Sequence, residues 1–480
     1  MKKIIAFTLL LALSVCMLLG ASGCAKQEYG LSKNKPVTIS IWHYYNGAQK
    51  QKFDEMVTKF NETVGAEKGI IVEAFNQGNV NELIDKVMDA ANHKVGADEI
   101  PDIFAAYADT AYSVDKIGLL ADLSPYLTQE EKDSFISAYL SEGQFSNTEE
   151  IKIFPIAKST ELFLINATDW NKFKDATGAS EESFKTWEGI AKISKEYYEY
   201  TDALTPDIPD DGKSFFGRDS FANFMLIGSM QLGTELFQVQ DGQVSYHVDE
   251  DVMRKFWDNY YVPFISGHFA SYGKFRSDDV KTGDIVALVG STYFPTEVTK
   301  ADGSTYEIEA LAFPVPNFEG TEPYAVQQGA GMAVTKSDSS REYAATVFLK
   351  WFTSKEQSLE FGLGSGYLPV LKELNSSEVL ESAIASNGDN ISETLKKSLI
   401  IGVQTVQNNT LYTNKAFAEG NSARSIVETS LPKKAAEDLA AVDALVAGGM
   451  SRKDAVAQYN TEENFAAWLA QFKKELAALS

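Results

Sequence analysis

An α/β fold is predicted on three observations. Short β-branched runs alternate with helical stripes along the first part of the chain. The 480 residues are enough for more than one core. No segment beyond the N-terminus approaches the roughly 20 apolar residues of a membrane span. The elements follow in order. Residues 37–43, VTISIWH, are rich in β-branched residues and read as a strand. Asn46 and Gly47 mark a turn, and Phe53, Met56, Val57 and Phe60 recur at helical spacing after it. Residues 70–75 form a second strand, and Leu83, Ile84, Val87, Met88 and Ala91 a second helical stripe. Pro101-Asp102 opens a short strand over 103–107. This strand–helix–strand rhythm implies a largely parallel sheet.

Further on, 151–156 and 162–165 are strand candidates, with Pro155 marking an edge or bend. Helical patterning covers 187–198, a loop rich in Asp, Pro and Gly covers 202–220, and apolar helix covers 221–236. A helix over 252–261 is expected to close at Pro263. Strands are expected at 285–289 and 310–313, with Pro314 and Pro316 punctuating the chain after them. Residues 343–352 form an amphipathic helix, and the chain is mostly helical from 380 onward. Trp42 and Trp187 fall at pattern positions of regular elements and are assigned to cores.

The N-terminus carries its own signal. Lys2 and Lys3 precede an apolar run over 4–19, interrupted only by Thr8 and Ser14, and small residues fill 20–23 before Cys24. This is the layout of a secretion signal. The stretch Ala21-Ser22-Gly23-Cys24 resembles the lipobox of bacterial lipoproteins, which implies cleavage before Cys24 and a lipid on it. Residues 1–23 are then a signal peptide and 24–36 a lipid-anchored, flexible tether. The other cysteine, Cys16, lies in the removed segment, so the mature body has no disulfide.

A net charge of −24 argues against nucleic acid as a partner, because phosphate binding needs clustered Lys and Arg. Four scattered histidines, His43, His93, His247 and His268, offer no metal site, and there is no HExxH, no GxSxG and no mature cysteine nucleophile. Gly212-Lys213-Ser214 lacks the upstream glycine of a phosphate loop, and Gly362, Gly364 and Gly366 form a turn cluster. The run from Asp207 meets Arg218 where a calcium loop needs Glu. No catalytic residue, metal or cofactor is expected. The 67 Asp and Glu are expected mostly as solvated surface groups rather than as a carboxylate pair for sugar hydrolysis.

Seven stretches together resemble the extracellular solute-binding proteins of ABC importers, family 1, the maltose-binding-like group. They are TISIWHYYNG (38–47); PDIFAAYADTA (101–111) with GLLADLSPYL (118–127); IKIFPIAKSTELFLINATDW (151–170); TWEGIAKISKEY (186–197); TGDIVALVGSTY (282–293); FPVPNFEG (313–320) with QQGAGMAVTKS (327–337); and AATVFLKWFTSKEQSLEFGLGSGYLPV (344–370). The resemblance covers most of 37–371 and implies a periplasmic-binding-protein-like fold: two α/β lobes joined by a hinge, with ligand in the cleft between them. Carried onto this chain, the N-terminal lobe is 37–158 with 316–362 and the C-terminal lobe 159–315 with 363–480. The implied partners are a carbohydrate ligand and ABC permease subunits, at the extracellular face of the membrane.

Sugar sites need aromatic platforms and convergent hydrogen-bonding groups, and strand ends of an α/β sheet supply them. Tyr44 and Tyr45 follow the first strand and either meet ligand or pack; Asn46 either offers its amide or makes the turn. Tyr107 and Asp109 end the 103–107 strand, Asp109 as a hydroxyl acceptor or a helix cap. Ser159, Thr160 and Glu161 stand at the first crossing, for ligand or hinge. Ser291, Thr292 and Tyr293 follow the 285–289 strand; the family commonly has Trp where Thr292 or Tyr293 stands, and Phe294 is the competing ring. Gln327, Gln328 and Gly329 occupy a glycine-rich segment that lets backbone approach a ligand. Tyr367 is a platform or a packing plug. No Arg or Lys is among these candidates, which disfavours a phosphate. The expected activity is binding of a sugar or oligosaccharide for an ABC permease, with no covalent chemistry. The alternatives are a non-sugar solute (polyol, glycerol phosphate or peptide), a surface glycosidase, or a non-transport receptor.

Overall fold

The structure is a computed structural model and describes residues 29–145, 149–240, 242–290, 294–387 and 391–479. The signal segment and Cys24 lie outside the described residues. Ten strands matter here: β1 Val37–His43, β2 Ile70–Asn76, β3 Ile103–Ala106, β4 Leu162–Asn166, β5 Phe216–Arg218, β6 Ala287–Gly290, β7 Ala310–Pro314, β8 Tyr324–Val326, β9 Gly331–Val334 and β10 Thr410–Tyr412. The helices used below are α1 Gly47–Phe60, α2 Val80–Ala91, α3 Ala108–Lys116, α4 Ala167–Thr177, α5 Trp187–Asp202, α6 Phe221–Gln231, α7 Ser339–Phe352, α8 Lys355–Ser365, α9 Glu393–Asn408, α10 Gly420–Ala447 and α11 Glu462–Ala477.

The first sheet has the order β9-β3-β1-β2. β1 pairs parallel with both β2 and β3, and only β9, arriving late in the chain, runs antiparallel. Ile39, Ile41 and Ile103 are fully buried beneath α1, α2 and α7. α7 is pinned to the sheet by a bidentate pair, Arg341 Nε and Nη2 donating to Asp102 at 2.8 and 2.7 Å. The second sheet, β7-β4-β6-β5, is mixed: β4 is antiparallel to both neighbours, and only β5 and β6 are parallel. The runs have the right composition for strands, but direction depends on connections that composition does not encode. Trp170, Phe173, Trp257, Tyr261 and Phe472 bring α4 and the C-terminal helices into a second aromatic core. Trp42 and Trp187 are 6% and 3% exposed, one in each core.

Three local expectations need correction. Residues 151–156 form no strand; a single bridge, Phe154 to Met332, is all that pairs there. Pro155 has no N–H to extend it. Pro263 does not end its helix, which runs on to Ile265 after a π-helical turn over Trp257–Tyr261. That turn already breaks the regular donor ladder, so the missing proline N–H removes little. Residues 29–36, expected within the tether, pack on the first lobe: Tyr29 stacks on Tyr343 with centroids 4.1 Å apart, and Ser340 Oγ donates to the Tyr29 carbonyl.

The chain passes between the sheets in adjacent segments. Ser159 and Gln328 exchange backbone hydrogen bonds at 2.9 and 3.0 Å, and Lys158 pairs with Leu368. Tyr367 and Val370, expected in the C-terminal lobe, pack in the first core, because Tyr367 meets Tyr45 edge-on at 6.0 Å.

Candidate functional site

β1 and β3 are parallel neighbours, so their C-terminal ends emerge at one edge of the first sheet and carry Tyr44 and Tyr107 with them. Their rings lie 6.5 Å apart and nearly parallel. The Tyr44 hydroxyl accepts from Ala330 N at 3.3 Å and hydrogen-bonds Tyr107 and Tyr367. Tyr107, 36% exposed, looks into a cavity of about 290 Å³. Both bodies of the protein line it. The first supplies Asn81 and Ile84 of α2, Tyr107, Asp109 and Glu142; the second supplies Asn223, Leu226 and Ile227 of α6 and Asn421 and Arg424 of α10. Gln327 and Gln328 come from the crossing, and Tyr412, Thr413 and Asn414 from the end of β10. A neighbouring opening of about 460 Å³ shares Glu142, Tyr412, Thr413 and Asn414 with it. Behind Asn223 lies a void of about 20 Å³, room for a water and no more.

A polar chain runs through the second wall. Arg218 Nη2 donates to Glu161 at 2.7 Å, Asn223 Nδ2 donates to the other Glu161 oxygen at 2.8 Å, and Arg424 donates to Asn223 Oδ1. Trp187 and Phe224 flank the Arg218 guanidinium. Glu428 of α10 accepts from the Phe221 and Ala222 amides at 3.0 and 2.7 Å, satisfying the free N-terminal donors of α6. Ser220, just before, is held at φ 51°, a strained value for a residue with a Cβ.

Asp109 joins the two walls. It accepts from Phe417 N at 3.3 Å and hydrogen-bonds Asn414, facing Arg424 and Glu142. A Cβ on Gly420 would lie 2.2 Å from its Oδ1, so only glycine lets α10 approach so closely. Burial pushes the Asp109 carboxyl up to about 6. On the first wall Glu142 accepts from Lys158 Nζ at 2.5 Å and from Gln327 Nε2, with Lys158 Nζ also donating to the Gly329 carbonyl at 2.7 Å.

Of the residues picked out by sequence, Tyr107, Asp109, Gln327 and Gln328 line the cavity. Tyr44 stands one ring behind Tyr107. Tyr45 is 1% exposed and packs against Phe53 and Phe361, and Tyr367 packs beside it. Asn46 makes the turn, donating to the Tyr44 carbonyl at 2.9 Å. Ser159 contributes its backbone to the hinge, where Thr160 Oγ1 donates to Val326 O at 3.0 Å. Glu161 faces the small void rather than the larger cavity. Gly329, at φ 92°, sits 3.1–3.2 Å beneath Ala157 and Lys158 measured from an added Cβ. Ser291, Thr292 and Tyr293 lie outside the described residues. Phe294, the competing ring, is 5% exposed and packs with Leu162 and Val298. Sequence reasoning missed Glu142, Asn223, Tyr412, Asn414 and Arg424. Arg424 also corrects the expectation of a site without Arg or Lys. Asn223 and Arg424 lie on helices, Tyr412 at the end of β10, and Glu142 and Asn414 in loops, none with a local motif, and only folding brings them to the cavity. Among the described residues no group of His, Cys, Asp or Glu is placed to hold a metal ion.

Comparison with known proteins shows which fold this chain shares. No curated protein matches the chain by sequence. The fold is shared with a cyclic α-maltosyl-1,6-maltose binding protein from Arthrobacter globiformis, at TM-score 0.61 and 18% identity over 90% of this chain and 99% of that one. An ABC substrate-binding protein from Listeria monocytogenes in complex with cycloalternan matches at TM-score 0.63 and 14% identity, over 92% and 100%. UgpB from Mycobacterium tuberculosis in complex with glycerophosphocholine matches at 0.61 and 16%, over 91% and 99%. The sequence profile of bacterial extracellular solute-binding proteins matches residues 55–388, most of the chain, and the protein belongs to that family.

Proposed function

We propose that the protein binds a sugar or oligosaccharide in the cavity between its two bodies and hands it to an ABC permease. The lobes are 37–158 with 316–362 and 159–315 with 363–480, except that Tyr367 and Val370 pack with the first. It is anchored outside the cell membrane by a lipid on Cys24 and carries out no covalent chemistry. One observation carries the reading: the 290 Å³ cavity takes walls from both bodies and combines tyrosine rings with amide, hydroxyl and carboxylate groups. Such a lining suits a polyhydroxylated ring with apolar faces. The cycloalternan and cyclic maltosyl-maltose binders share the fold and support a carbohydrate. Arg424 favours a second reading, a phosphate-bearing solute such as the glycerophosphocholine held by UgpB, since guanidinium pairs well with phosphate.

A thermal-shift screen separates the two. A ligand that binds only the folded chain raises apparent stability, by about 2.7 kcal/mol at a hundredfold excess over Kd. Cycloalternan or cyclic maltosyl-maltose is expected to raise the midpoint with glycerophosphocholine inert. The reverse pattern establishes the phosphate reading.

A further inference from the structure

Glu142 occupies a position that neither the sequence pattern nor the family match singles out. Its side chain is 5% exposed, yet it lines both the 290 Å³ and the 460 Å³ openings. Its Oε2 accepts from Lys158 and from Gln327, one residue on each of two crossing segments. The same Lys158 ammonium reaches the Gly329 carbonyl, closing the clamp over the Ser159–Gln328 backbone pair. Both of these hydrogen bonds fall on Oε2 and neither on Oε1. A buried carboxylate is costly unless its lone pairs are used, so Oε1, beside the cavity, is the natural acceptor for a donor arriving there.

Resting on the cavity as the solute site, we propose that Glu142 carries cleft occupancy to the hinge: Oε1 accepts a hydroxyl of the solute while Oε2 holds the two crossing segments together. A solute hydroxyl bonded to Oε1 fixes the carboxylate in the position that grips Lys158 and Gln327. Binding then favours one hinge geometry, and by the same linkage that geometry favours binding. The solute class this selects has a hydroxyl donor directed at the first wall.

Hydrogen exchange on wild type and Glu142→Gln, with and without saturating cycloalternan, tests this. Without solute, the Ser159 and Gln328 amides are expected to exchange roughly tenfold faster in the variant. Cycloalternan is expected to slow them in wild type but not in the variant, whose Kd rises about tenfold. A purely structural role leaves the solute-dependent protection in place, so equal protection in the variant overturns the proposal, as do unchanged rates without solute. Where Glu142→Gln does not fold, Gln327→Leu keeps the Glu142–Lys158 pair and is read in the same way: lost solute-dependent protection at Gln328 is expected, and retained protection overturns the coupling. If cycloalternan fails to bind wild type, the sugar reading fails separately, and the solute-free rates alone decide the hinge clamp.

Discussion

Asp109 shows how one side chain turns packing into a pH dependence. Its partner amide at Phe417 is 308 residues away, so nothing near DTAYSVD announces the contact. Sequence offered helix capping or ligand binding; the structure adds a tie between the two walls. Burial raises its folded carboxyl to about 6 from an ordinary 3.8, outweighing the Phe417 amide, Arg424 and Asn414. Folding therefore disfavours the ionised form relative to the unfolded chain. The sign follows: the penalty is full above about pH 6 and is relieved as pH falls toward the unfolded value near 4. The displacement corresponds to roughly 2–4 kcal/mol. Asp109→Asn is expected to raise stability at pH 7.5 and to flatten the stability profile between pH 4 and 7, measured by urea unfolding. An unchanged slope would remove Asp109 as its source. Arg424 was equally illegible, since its role comes from α10 lying against Asn223 and no spacing in SARSIVE encodes that. Arg424→Ala is expected to weaken binding of the cognate solute about tenfold or more, read by calorimetric titration, if the guanidinium meets it. An affinity within twofold would confine Arg424 to supporting Asn223.

At the scale of elements, legibility tracks local patterning. β1 falls on 37–43 as read, and β2 extends one residue beyond its predicted end, because alternating β-branched residues state their own conformation. The 151–156 run has the same apolar content but lacks a partner strand, a fact its neighbours in sequence do not carry. α2 illustrates an element whose end serves the cavity. Asn79 Oδ1 accepts from Asn81 N and Glu82 N at 2.9 and 3.1 Å, and Glu82 Oε2 accepts from Asn79 N at 2.7 Å. This capping box fixes the turn that presents Asn81 and Ile84 to the cavity. Asn79→Ala is expected to cost about 1 kcal/mol, lowering the thermal midpoint by a few degrees in scanning calorimetry. No shift would mean that tertiary packing alone holds the turn.

For the whole molecule, the two-lobed class was readable from the order of family-like segments, whereas the mixed second sheet and the cavity residues Glu142, Asn223, Tyr412, Asn414 and Arg424 were not. A cavity built from both bodies requires that they meet, and the crossing segments at Ser159, Gln328 and Leu368 are the narrow place about which they would turn. At the other end, Cys24→Ala is expected to release the protein from membranes or leave it as unprocessed precursor. Labelled-palmitate incorporation that survives the substitution would rule out the anchor. The central claim, that solute is held between two moving lobes, is tested most directly by small-angle scattering of the leaderless chain with and without a saturating solute chosen by its thermal shift. The radius of gyration is expected to fall on binding; an unchanged radius at full saturation would contradict closure of the lobes around the solute.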